Sequence, residues 1–154
     1  MQSYSYNLII SILAMASVMC GAPASAAATK CLTGKRMSLI RRNFSGPLVC
    51  SHRDSSFQFV GKTAGTGFSV YDYRYRYLPL GGQVMHGGQR VLIFHGEDYE
   101  GQYALATPPY STVTVSGSYG VIKTLGTPQA VRLNFSSKPP TQVMVNGEIA
   151  NFFR

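Results

Sequence analysis

The chain predicts an all-β fold: a single antiparallel domain whose strands run as an up-and-down meander, closed as a small barrel or folded into a sandwich. Three observations predict it. From residue 55 onward the apolar residues recur with a period of two rather than the helical period. Turn-forming residues interrupt that alternation at the short, regular spacing of all-β chains. The dipeptides Gly117-Ser118 and Asn146-Gly147 supply what two-residue hairpin loops require.

Each element follows from its residues. SFQFVG alternates Phe57 and Phe59 with polar neighbours, GKTAGTG turns, and FSVYDYRYRYL is a second, long strand. PLGGQVMHGGQ, rich in glycine, is expected to be a loop. RVLIF is apolar on both faces, the mark of a central strand covered on two sides. HGED is expected to turn the chain into YEGQYAL, with Tyr99, Gly101, Tyr103 and Leu105 on one face. TPP breaks this strand, YSTVTVS and YGVIKTL form a hairpin with Val113 and Val115 inward, and AVRLNF places Val131, Leu133 and Phe135 together. After KPP, QVMV and EIANFF flank Asn146-Gly147 and complete the meander.

The N-terminal part reads differently. The apolar run IISILAMASVMC is shorter than the roughly 20 residues a membrane span needs, and the small-residue stretch after it offers Ala24-Ser25-Ala26 for cleavage. Residues 1–26 are therefore expected to be a signal peptide and residues 27–154 the exported domain, periplasmic or secreted. Cys20 falls in the signal, which leaves Cys31 and Cys50 to form a disulfide closing a loop of about 20 residues, worth around 3 kcal/mol. Between them a short helix or irregular segment is expected, on whose helical stripe Met37, Ile40 and Phe44 would align while Leu39 would face away.

The formal net charge is +8. The excess lies in the first half, with Lys30, Lys35, Arg36, Arg41, Arg42 and Arg53 against Asp54, then Lys62, Arg74, Arg76 and Arg90 against Asp72. Residues 91–154 balance basic and acidic side chains. Such a field favours anionic partners without choosing among phosphate, lipid headgroup, uronic acid or acidic protein.

Motifs for chemistry are absent. His95, Glu97, Asp98 and Glu100 cluster in a stretch whose composition is that of a solvated turn, so no metal site is expected. SHRD at residues 51–54 holds the residue types of a catalytic triad, but sequence neighbours on a strand point to opposite faces. The glycine-rich loop lacks the Gly-Lys-Ser/Thr ending of a phosphate loop. Six acidic side chains, scattered, leave little for paired-carboxylate hydrolysis.

YDYRYRY is the exception. An extended backbone puts Tyr71, Tyr73, Tyr75 and Tyr77 on one face and Asp72, Arg74 and Arg76 on the other. Burying the two arginines unpaired would cost several kcal/mol each, so they face water or a ligand and the tyrosines turn inward. The strand is long enough to overhang its sheet, which leaves Tyr75 and Tyr77 less buried than Tyr71.

These residues describe a non-enzymatic exported binding module with no cofactor, whose partner is an anionic envelope polymer, lipid headgroup or acidic protein, with nucleic acid a further but not favoured candidate. Its ligand-binding residues are Arg74, Arg76, Tyr75, Tyr77, Lys35, Arg36, Arg41 and Arg42. The alternative is an assembly factor that docks by edge pairing through the tyrosine strand. A hydrolase of cell-wall or surface polymers, built around His86, His95 and Glu97, ranks third.

Overall fold

The computed structural model describes residues 34–154. The expected signal peptide and Cys31 lie outside the described residues. A short helix, α1 (Lys35–Arg41), precedes nine strands: β1 (Ser55–Lys62), β2 (Phe68–Tyr77), β3 (His86–His95), β4 (Asp98–Leu105), β5 (Ser111–Ser116), β6 (Tyr119–Thr124), β7 (Val131–Asn134), β8 (Gln142–Val145) and β9 (Glu148–Phe153).

The antiparallel strands form two sheets, one six-stranded in the order β1-β2-β3-β4-β9-β8 and one three-stranded in the order β5-β6-β7. The meander of sequential hairpins is present, but it does not close as a barrel. After β4 the chain leaves to build the second sheet and returns to lay β9 beside β4.

Two apolar clusters cover the two faces of the larger sheet. On one, Phe68, Val70, Val91, Ile93 and Tyr103 meet Val113, Ile122 and Leu133 of the smaller sheet. On the other, Tyr73, Tyr75, Leu92, Phe94 and Tyr99 pack beneath Leu39 of α1 and the following Phe44, Leu48 and Val49. β3 therefore buries Val91, Leu92, Ile93 and Phe94 completely, as its two apolar faces predict.

The structure corrects four local expectations. Leu39, expected to face away, is fully buried, whereas Ile40 is exposed. The helix stops where Asn43 takes φ 56°, and the Asn43 and Phe44 amides donate back to the Ile40 and Leu39 carbonyls. This Schellman turn folds Phe44 over Leu39, so Phe44 never belonged to the helical stripe.

Second, Tyr99 does not share a face with Tyr103 and Leu105. The register shifts between Ile93 and Phe94, one residue of β4 goes unmatched, and Tyr99 turns to the helix side. Third, strand structure begins at His86, inside the expected loop, and pairs with β2 to its last residue, Tyr77. Fourth, β2 does not overhang. Tyr75 is only 6% exposed and Tyr73 fully buried, while Tyr71 is half-buried. Gly88 makes this possible: a Cβ there would collide with the Tyr75 ring, which lies against the bare backbone.

Tyr73 shows why an aromatic with a polar tip suits this position. Its hydroxyl accepts from the Val49 amide at 2.7 Å and donates to the Pro47 carbonyl at 2.9 Å, tying the extended segment before β1 to the sheet.

Burial raises the pKa of Tyr71, Tyr73, Tyr99 and Tyr103. A folded-state pKa above the unfolded one means stability that is full below pH about 10 and lost as pH rises beyond it. A spectrophotometric alkaline titration should show these four tyrosines ionising late and together with unfolding. Ionisation of every tyrosine near pH 10 without loss of structure would show that the row is not buried.

Candidate functional site

At the Tyr77 end of β2 the chain before β1 makes a tight turn. The Asp54 and Ser55 amides both donate to the Ser51 carbonyl, and the Ser51 hydroxyl donates to the Asp54 carboxylate at 3.0 Å. The turn presents His52 and Arg53 to solvent. It is locked to β2 by the Arg76 amide, which donates to the Asp54 carbonyl at 2.7 Å.

Between this turn and β2 lies an open groove of about 330 Å³, lined by His52, Arg53, Asp54, Ser55, Ser56, Arg74, Tyr75, Arg76 and Tyr110. Its arginines are held in different ways. Arg76 reaches Asp54 at 3.3 Å and the Arg53 carbonyl at 3.4 Å and stays largely solvent-exposed. Arg74 donates to Asp72 at 2.9 Å and to the Ser111 carbonyl at 3.0 Å, and stacks on Tyr110 with 5.3 Å to the ring centroid. Arg53 has no ion pair among the described residues.

Beneath the groove a polar chain runs into the core. Asp72 is 5% exposed and receives Gln89 Nε2 at 2.8 Å in addition to Arg74. Gln89 also donates to the Ser111 carbonyl and accepts from the Ser111 amide, both at 2.7 Å, and the Ser111 hydroxyl meets that of Thr124 at 2.6 Å. The Asp72 and Arg74 pair is thus anchored in the interior at its acidic end and faces the groove at its basic end. Arg74 is a braced cation and Arg76 a more exposed one.

The second basic set has another use. Lys35 bonds the Gly96 carbonyl and pairs with Glu97 at 2.7 Å, Arg42 pairs with Asp98 at 2.9 Å, and the Tyr99 amide donates to Ser38 Oγ at 3.0 Å. The acids of HGED sit in a solvent-exposed turn, as its composition implies, and from there they also clamp α1. Arg36 lies over the Phe57 ring at 5.1 Å. Arg41 and Arg42, with Glu97 and Asp98, line a separate depression of about 510 Å³. Charges spent on that clamp are poor candidates for capturing a ligand.

Lys35 does not reach the groove: Gly96, bonded to it, follows His95, which pairs with Phe68 at the start of β2, and Arg74 and Arg76 lie six and eight residues further on, roughly 20 to 26 Å away. Arg36 is nearer along the sheet, over Phe57, whose partner Tyr73 turns to the helix side while Arg74 turns to the other. Of the expected ligand-binding residues, Arg74, Arg76 and Tyr75 line this groove, with the Tyr75 ring largely inside the core. Tyr77 stacks on Tyr75 and His86 beside it. Arg53 and Tyr110, outside the predicted set, complete the groove.

Two positions bear on the alternative readings. β2 is hydrogen-bonded to β1 and β3 on its two edges and offers no edge to a partner strand. His86 and His95 are the first and last residues of β3, about 30 Å apart, and do not converge. No metal-binding group of three or more His, Cys, Asp or Glu side chains occurs among the described residues.

The Arg42 guanidinium, hydrogen-bonded to Asp98, holds that carboxyl below its ordinary value. A depressed folded-state pKa means a contribution present above pH about 4 and lost as pH falls through the folded value. The α1 amide resonances should therefore shift as pH drops below about 4, and Asp98→Asn should remove that component. An identical titration in the variant would show that the pair does not hold the helix. Compared with known proteins, the chain matches no family model, no curated protein and no solved structure.

Proposed function

We propose that the protein is an exported, non-enzymatic binding module for an anionic cell-envelope or extracellular partner, and that the groove at the Tyr77 end of β2 is where the partner binds. One observation carries this reading. Arg53, Arg74 and Arg76 converge on one open groove beside Tyr110, and Arg53 has no ion pair among the described residues. Arg74, fixed by the buried Asp72, is positioned for a directed bond to carboxylate or phosphate, while Arg53 and Arg76 supply adaptable charge. The overall +8 adds long-range attraction.

Retention on an immobilised polyanion such as heparin tests the reading. Wild type should bind at low salt and elute as ionic strength rises, and Arg53→Ala should elute at clearly lower salt. Lys62→Ala, at the other end of the sheet, should elute close to wild type. Passage through the matrix at low salt would end the proposal.

The disulfide between Cys31 and Cys50 belongs to the same reading. Cys50 immediately precedes the turn that carries His52, Arg53 and Asp54, so a crosslink there would restrain the wall of the groove. The intact mass should be two hydrogens below that of the reduced chain, and reduction should lower the salt needed for elution. Two free thiols in the native protein would remove the crosslink from the account.

A further inference from the structure

The hairpin beyond the groove carries an apolar load that the fold does not use. Leu78, Leu80, Val84 and Met85 are 55%, 107%, 68% and 52% exposed. The geometry explains the outermost of them. The Gly82 amide donates to the Pro79 carbonyl, and Gly81 takes φ 75°, so residues 79–82 form a type II turn. Leu80 occupies its corner and points away from the protein. Other exposed apolar side chains, such as Phe59, Leu125, Met144 and Ile149, lie elsewhere on the surface and singly or as one cross-strand pair. Among the described residues, only here do four gather on one short connection.

What surrounds the tip narrows the partner. Tyr77 and His86 form the last pair of the hairpin, Arg76 stands one residue behind, and Arg53 and Arg74 lie further back. Tyr110 reaches the same end, close to Gly87. The order from the tip inward is therefore apolar residues, then amphipathic aromatics, then arginines, which is the order of phases met on entering a bilayer in reverse. The loop extends at most about 13 Å beyond its last pair, enough to reach the headgroup and acyl boundary but not to cross it. Leu80 touches no neighbour that would fix its side chain, so the tip has no preformed shape for a protein pocket to match, whereas a fluid apolar phase requires none.

Resting on the anion-binding reading above, we infer that the partner is an anionic phospholipid bilayer, and that the β2–β3 hairpin inserts its tip while the arginine groove receives headgroup phosphates. Two weak signals then act together. Apolar burial and electrostatic attraction add, and neither alone holds a protein on a membrane.

Flotation with vesicles of phosphatidylglycerol and phosphatidylcholine, beside vesicles of phosphatidylcholine alone and the heparin matrix, separates the cases. The expected result is flotation with the anionic vesicles, weakened about a hundredfold in a Leu80→Ser, Val84→Ser variant at about tenfold per side chain, with heparin elution unchanged. Because both positions are exposed, thermal unfolding of the variant should match wild type. Heparin binding without flotation would overturn the membrane inference and leave the anion-binding reading standing. Flotation that the variant keeps would overturn insertion. Failure on both supports would overturn both readings. A shift from dimer to monomer in the variant, without flotation, would assign the tip to a second copy and overturn the inference.

Discussion

Asp72 sits on the face of β2 that packs against the three-stranded sheet, and a lone carboxylate there would cost several kcal/mol. The fold answers it with two donors, Gln89 from the neighbouring strand and Arg74 from two residues along the same strand. The answer propagates. Gln89 must in turn satisfy Ser111 at the start of β5, which fixes where the second sheet begins and brings Tyr110 over the Arg74 guanidinium. One buried charge thus aligns the two sheets and sets the orientation of a surface arginine. Removing Arg74 would strand the carboxylate, so its surface role and its structural role are not separable by a single substitution.

The opposite end of β2 uses charge in the converse manner. Lys35 and Arg42 reach out to the exposed acids of the β3–β4 connection, where each pair is worth little by itself. They act beside Leu39, whose burial under α1 supplies the larger contribution, and the ion pairs fix the register of the helix on the sheet. Seven helical residues cannot hold themselves as a helix in water, so α1 exists because the sheet and the hairpin hold it.

Much of the fold was legible in the residues because period-two alternation is a local property. Val91 to Phe94, apolar on both faces, announced a central strand, and Leu133 and Phe135 faced the core as their spacing required. What escaped depended on contacts between distant segments. The unmatched residue of β4 that swings Tyr99 to the other face, and Gly88 that accepts the Tyr75 ring, leave no trace in a period. The site was half legible. Cost arguments placed Arg74 and Arg76 outward, but counting charges could not tell Arg53, which has no ion pair among the described residues, from Lys35 and Arg42, already engaged with acids sixty residues or so away in sequence. The apolar residues of PLGGQVM were visible as a contradiction, since a turn composition normally comes with polar side chains. That contradiction was the available signal.

The return of β9 to the edge of β4 also governs how this chain reaches its fold. Gln102 pairs with Phe153 and Tyr103 with Phe152, with the whole three-stranded sheet between them in sequence, so the larger sheet is complete only when the last strand has arrived. Such distant pairings slow folding toward the millisecond-to-second range. Until they form, β4 presents an open edge of backbone donors and acceptors beside an aromatic-rich surface, the kind of intermediate that other chains can extend. The final six-residue strand therefore covers the edge of β4, and the four-residue β8 beside it becomes the short rim of the folded sheet.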